Sequence, residues 1–306
     1  MRRMIVLGTL LAVGLAAAAV QQPVAGQEGP RIVEIDKLKD NLYVMKGGGG
    51  NSSVFITANG VVVVDTKNPG WGQPLLDAIK KVTDKRVTTI INTHTHGDHV
   101  SGNVEFPAEV DVVTHVNTAA NMKAMRPNST AAPSATPPRN IFNEHNGHGL
   151  AKRTFSDKMT LGRGSEQIDL MYFGRAHTNG DAVIFFPTHR VLHIADMFPG
   201  KELPIMDSNN GGSGVDYAAT LTKASNVRNV DVIINGHMPT QTTIGDLKEY
   251  AGFIREFVTY VQAGKKSGKS VDEVVSGWST PAKFVGYNPK PARLRSDVEV
   301  IFAETK

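Results

Sequence analysis

The chain has 306 residues, with 33 Lys and Arg against 29 Asp and Glu, for a formal net charge of +4. With 40% hydrophobic and 20% charged residues it has the composition of a packed core rather than of a disordered segment, and no Lys/Arg run marks a nucleic-acid footprint. Cysteine is absent, which excludes disulfides, thiolate metal sites and a thiol nucleophile. Any metal centre must therefore be built from His, Asp and Glu, and ten histidines are available.

In chain order, Arg2 and Arg3 precede an uncharged, mainly apolar stretch, Ile5 to Val20, and small residues follow as far as Gly26. That succession reads as a cleavable secretory signal over residues 1–26, since the stretch is short for a membrane span. It implies a periplasmic or secreted enzyme with a mature domain over 27–306 and no stable membrane span after cleavage. Arg31 to Val44 reads as an extended lead-in to the glycine run Gly47–Gly50. Ser53–Thr57 and Val61–Asp65 read as strands joined through Asn59-Gly60, a strong hairpin dipeptide. Gln73–Lys81 has helical periodicity, and Val87–Ile91 is a β-branched strand. Asp111–Thr114 and Val116–Met125 follow as a strand and a helix. Arg126–Arg139, rich in Pro, Ser, Ala and Thr, reads as a loop or lid within a variable insertion over 126–160. Ile168–Phe173, Ala182–Phe186 and Arg190–Ala195 are three successive strands. Asp216–Val227 is helical, Val230–Asn235 is a strand, and Asp246–Ala263 carries its apolar residues on one helical face. The sum is an α/β arrangement of two sheets with outer helices, pointing to a four-layer αββα sandwich.

The chemistry concentrates in Asn92-Thr-His-Thr-His-Gly-Asp-His99, which directly follows a strand. His94 and His96, two apart on extended chain, point the same way. Gly97 permits a turn that lets Asp98 and His99 face a second point, so one loop offers four ligands to two metals. Three further candidates each sit just after a predicted strand: His177 in GRAHTNGD, Asp196 in LHIAD and His237 in INGH. Side chains at the ends of different strands converge on one sheet edge, where α/β folds place their chemistry.

These segments together resemble the ligand motifs of the metallo-β-lactamase superfamily, and the likeness extends to the Gly47–Asp65 hairpin. The resemblance implies that His94, His96 and His177 hold one metal, that Asp98, His99 and His237 hold a second, and that Asp196 bridges them. Two Zn2+ are the expected cofactors, with iron or manganese as alternatives because a carboxylate is a hard ligand. The bridging position is often cysteine in the β-lactamases but is aspartate here, as in many lactonases, thioesterases and phosphodiesterases of the superfamily. The expected activity is that of a metallo-hydrolase: water activated between the metals attacks a cyclic amide or ester carbonyl of a small-molecule substrate, β-lactam-like or a lactone, and Asp98 orients it. The alternatives are a thioesterase or phosphodiesterase, an iron-dependent oxygenase on the same fold, and a non-catalytic metal-binding protein.

Asp65, at the end of Val61-Val-Val-Val-Asp65, lies beneath the metal loop in the resemblance and is expected to accept a hydrogen bond from it. Lys201 and Asn210 are candidates for substrate contact, the former for a substrate carboxylate, the latter from its loop position. His145 and His148 lie in the variable insertion and could flank the pocket. Trp71 and Phe106 are candidates to cover it, and His193 reads as a packed strand histidine.

Overall fold

The computed structural model describes residues 30–130 and 139–306, so the expected signal over 1–26 and part of the 126–139 loop lie outside the described residues. Residues 31–306 form one compact unit. Its first sheet runs in sequence order: β1 (Glu34–Lys39), β2 (Leu42–Lys46), β3 (Ser52–Thr57), β4 (Gly60–Val64), β5 (Val87–Asn92), β6 (Asp111–His115) and β7 (Arg153–Phe155). The second sheet comprises β8 (Lys158–Leu161), β9 (Ile168–Tyr172), β10 (Ala182–Phe186), β11 (Val191–Ala195) and β12 (Val232–Asn235), in the order β12-β11-β10-β9-β8.

The layers follow from side-chain alternation. Leu42, Val44, Phe55, Val62, Val64 and Ile91 of the first sheet meet Ile168, Leu170, Ile184, Phe186 and Val191 of the second in one apolar core. The first sheet's other face, with Val61, Val63 and Ile90, packs on Leu75, Ala78 and Ile79 of α1 (Gly72–Lys80). The second sheet's other face, with Val183, Leu192 and Ile194, is covered by Tyr217 and Leu221 of α5 (Gly214–Ala224) and by Tyr250, Ile254 and Phe257 of α6 (Ile244–Lys266). A capping box between Thr243 and Asp246 starts α6. Between α1 and α5 lie α2 (Gly97–Val100), α3 (Val116–Ala124) and α4 (Ile141–Glu144). The chain ends in α7 (Val271–Gly277) and α8 (Pro291–Glu304), whose Val274, Val298 and Ile301 join the second outer core. The αββα sandwich expected from the sequence is the fold observed. No helix among the described residues is long and apolar enough to cross a membrane.

Several local expectations are corrected. The lead-in over 31–44 is an antiparallel strand pair, β1 with β2, whose edge strand carries Glu34, Asp36, Lys37 and Lys39, charges that blunt edge pairing. The β3–β4 hairpin pairs Thr57 with Gly60, so the two loop residues are Ala58 and Asn59 rather than Asn59 and Gly60. Beyond the loop expected over 126–139, the 126–160 insertion adds α4, β7 and the start of β8, for which no element was expected. Gly97 makes no glycine-specific turn, because it opens the single helical turn α2, with His96 as its N-cap.

Strand direction positions the site. β4, β5 and β6 are mutually parallel. In the second sheet β11 is parallel to β12 and antiparallel to β10, which is antiparallel to β9, so β9, β11 and β12 run the same way. Asp65 follows β4, the histidine loop follows β5, His177 follows β9, Asp196 follows β11 and His237 follows β12. Each side chain leaves from a strand's C-terminal end.

Candidate metal centre

The seven side chains expected from the sequence come together. His94, His96, His177 and Asp196 form one group whose ligand atoms all lie within 4.8 Å of one another, and Asp98, His99 and His237 form a second. Asp196 lies between them: its Oδ2 is 3.9 Å from His94 Nε2, 3.7 Å from His177 Nε2 and 3.3 Å from His237 Nε2, and its Oδ1 is 3.3 Å from His99 Nε2. Asp98 Oδ2 is 3.1 Å from His237 Nε2 and 3.7 Å from His99 Nε2. Gly236 makes room for this meeting, since a β-carbon there would stand 1.7 Å from Asp196 Oδ1.

Four of the five imidazoles have one nitrogen engaged outward, which leaves the other for the centre. His96 Nε2 bonds Asp207 Oδ2 at 2.7 Å, His177 Nδ1 the carbonyl of Ile205 at 2.7 Å, His99 Nδ1 Asp65 Oδ2 at 2.7 Å, and His94 Nδ1 the Thr93 hydroxyl at 3.0 Å. Such outer partners fix the tautomer and ring orientation of metal-binding histidines. With their protons donated outward, His177 Nε2 and His96 Nδ1 face each other at 2.9 Å with lone pairs only, a contact that a shared cation would resolve. His94 Nε2 is buried without a hydrogen-bond partner, as expected of an atom whose partner is an ion. The donor set is nitrogen and oxygen throughout, and the residues fit two divalent cations.

The electrostatics agree. Burial pushes His94 well below the ordinary imidazole range and His177 down to about 4, and neighbouring imidazoles add to both. For Asp196 burial opposes ionisation, yet His99, His237 and His94 outweigh it and hold the carboxyl well below its ordinary value. Asp98 is drawn down to about 2 by His99 and His237, again against burial. Hydrogen bonds that His237 donates to the Asp196 and Asp98 carboxylates raise it to about 9, and His99 is raised by Asp196, Asp98 and Asp65 despite burial. The two carboxylates thus collect protons on the imidazoles, and a divalent cation would satisfy them instead and release those protons.

Asp65 also forms a cluster with His94 and His99. It acts as an anchor, because both its oxygens are occupied, by the Thr93 amide at 2.8 Å, the Thr93 hydroxyl at 2.7 Å and His99. Asn210 is buried beneath His96, its amide bonding Asp207 Oδ2 at 2.6 Å. Lys201 donates to the carbonyl of Val285 at 2.8 Å and lies over the Tyr287 ring. The structure brings neither Asn210 nor Lys201 into the seven-residue cluster. His148 bonds the carbonyl of Phe106, and the metal-capable groups among the described residues include neither it nor His145. Phe106 is core, whereas Trp71 lies against Gly48 of the glycine run. His193 is packed between the sheets with Nδ1 2.7 Å from Ser53 Oγ.

Sequence reasoning missed Asp207, Asn51 and Lys67. Asp207 holds His96, and the Asn51 amide bonds the carbonyls of Asn235 and Met238 at 2.9 and 2.8 Å. Lys67 is fully buried, in the left-handed region at φ 76°, and donates to the carbonyls of Met45 and Gly50 at 2.8 Å each. None of the three sits in a spacing pattern. The one available signal was a lysine two residues after Asp65, just beyond an apolar strand.

The chain is similar to known proteins. The metallo-beta-lactamase superfamily profile matches residues 45–237, the span from the glycine run to the last histidine. A metallo-beta-lactamase type 2 from Elizabethkingia meningoseptica is 29% identical over 179 residues, covering 55% of this chain and 62% of that protein. The 2,4-dinitroanisole O-demethylase subunit alpha of Nocardioides sp. (strain JS1661) is 25% identical over 191 residues, 61% of this chain and 53% of that protein. The chain thus spans less than two thirds of the length of either of these two relatives. Among solved structures, a metallo-beta-lactamase from Pontibacter korlensis superposes with a TM-score of 0.57 at 18% identity, covering 73% of this chain and 99% of that one. A double mutant of the sec-alkyl sulfatase PisA1 reaches 0.63 at 15% identity, covering 87% of this chain and 49% of that one. With more than half of its length matched by the superfamily profile and its His/Asp clusters at the expected strand ends, the chain belongs to the metallo-beta-lactamase superfamily.

Proposed function

We propose that the protein is an exported di-metal hydrolase, with zinc the leading metal, acting on the carbonyl of a cyclic amide or ester. The observation that carries this is Asp196, one carboxylate within reach of two histidine groups that would hold a pair of cations where strand ends of the two sheets meet. His94, His96 and His177 would hold one cation, Asp98, His99 and His237 the other, with Asp196 common to both. Cations so held supply Lewis acidity toward a carbonyl oxygen and lower the pKa of water to near neutrality.

The chain's own groups then have separable tasks. Asp98, ionised down to about 2, is an acceptor that aims a water O–H rather than a store for its proton. Hydrolysis forms a bond from water oxygen to the carbonyl carbon and breaks the C–N or C–O bond, and the water's proton ends on the leaving nitrogen or oxygen. Asp207, Asp65 and the Ile205 carbonyl keep the imidazoles in one tautomer throughout. Export rests on the signal-like segment, and a carboxylate instead of a thiolate at the bridging position extends the substrate range from β-lactams to lactones.

Purified protein is expected to carry two zinc ions per chain and to open nitrocefin or a lactone from a panel that also holds thioesters and phosphodiesters. Iron with oxygen uptake would replace the hydrolase by an oxygenase. Two zinc ions with no turnover across the panel would favour a metal-binding protein.

A further inference from the structure

We propose that Asn51 is the positioning residue that assembles the second half of the centre, Asp98, His99 and His237, by tying the His237 loop to the glycine run. The proposal rests on the two-cation reading above. His237 stands on a loop with its side chain 47% exposed, and it needs an outside brace to keep Nε2 on the centre. Asn51 supplies that brace from a nearly buried position. Its backbone N–H donates to the Gly236 carbonyl at 2.6 Å, and its amide donates to Asn235 and Met238. Carbonyls on both sides of His237 are therefore held by one residue.

The same short segment holds the other two members. The Gly50 N–H donates to the Asp98 carbonyl at 2.9 Å. A β-carbon at Gly50 would stand 2.2 Å from the His99 ring, and one at Gly49 would stand 2.6 Å from the Asp98 carbonyl, so the backbone lies directly on this half of the centre. Lys67 fixes the segment from below through the Gly50 carbonyl. Asn51 makes none of the contacts that orient His94, His96 and His177. Those depend on Thr93, Asp207 and the Ile205 carbonyl.

This separation is testable by stepwise metal uptake. Chelator-stripped full-length protein is titrated with Co2+, followed by visible absorption, and with Zn2+ against a chromophoric chelator. Wild type takes up two equivalents. In Asn51→Ala the first affinity stays within about twofold while the second falls by about 10–100-fold, the usual effect of losing an outer partner. Asp207→Ala gives the reverse, weakening the site of His96. An unchanged second affinity in Asn51→Ala, or an equal fall at both sites, overturns the proposal. Uptake of a single equivalent by wild type overturns the two-cation reading and the proposal with it. Asn51→Asp keeps the side-chain volume but removes the donor, and the same selective loss is expected. If neither variant shows the wild-type far-ultraviolet circular dichroism spectrum, the Asn51 side-chain amide of 15N-labelled wild type decides. A shift on the second Zn2+ equivalent supports the proposal, and a shift on the first alone, or none, overturns it.

Discussion

His94 and His177 are almost wholly buried, and His96 nearly so, whereas the side chains of Asp98 and His237 stand 31% and 47% exposed. The first group is held from behind by a hydroxyl, a carboxylate and a carbonyl, each on a defined outward nitrogen. In the second group only His99 has such an anchor on its own ring, Asp65, and the rest depends on the backbone of the glycine run and on the Asn51 side-chain amide. One half of the centre is therefore pre-organised by side chains packed in a core, and the other by a loop lying on it. On the proposed reading the difference divides the roles: the buried half would fix a cation, and the more exposed half would be where substrate and water arrive.

The strongest way to break this comparison is Asp98→Ala. It removes a half-buried carboxylate whose neighbours are other members of the centre rather than the apolar core, so the fold survives while turnover on whichever panel substrate is hydrolysed falls by about 10²–10⁴-fold, the range for a group acting on a proton in the transition state. Near-native turnover in a folded, metal-loaded variant would remove Asp98 from the chemistry.

Gly236→Ala cuts across the comparison by striking Asp196, which on the proposed reading is common to both halves. Its backbone is not in the left-handed region, so the cost is steric: the new methyl would occupy the position of Asp196 Oδ1. Asp196 must turn away, and metal affinity is expected to fall at both halves by about 10–100-fold. Competition titration showing loss at only one half would mean that Asp196 does not serve both.

Much of this was legible in the chain because the chemistry sits at strand ends, and strands announce themselves. The apolar run before Asn92 and the glycine and aspartate after it mark where β5 stops, and the same holds for Asp196 and His237. The anchors were not legible. Asp207 lies in an irregular segment and meets His96 across 111 residues, and Asn51 meets the His237 loop across 184, distances at which no local periodicity carries information. The β1–β2 pair escaped notice for another reason: an edge strand rich in Glu, Asp and Lys is built to look unlike a strand. Gly97 misled because a glycine beside a metal loop reads as a turn, while the backbone there is helical.

The smallest expected effect concerns Lys67, beneath the loop-built half. Burial lowers its ammonium to about 7 from 10.5, although the Asp65 and Asp98 carboxylates pull the other way. Between those two values the unfolded chain holds a proton that the folded chain has released, so unfolding takes one up and stability rises with pH, by at most about 1.4 kcal/mol per unit. The contribution is fully present above 10.5 and is lost as pH falls through 7. Lys67→Met keeps the side-chain length and the same left-handed backbone, so the variant differs in charge and in the two hydrogen bonds to Met45 and Gly50. Losing those bonds lowers stability by an amount that does not vary with pH, while the slope between pH 7 and 10 flattens. Urea denaturation of metal-free protein across that range separates the two. An unchanged slope in the variant would mean that Lys67 stays charged when folded, and that the glycine run rests on a permanent cation rather than on one that titrates near neutrality.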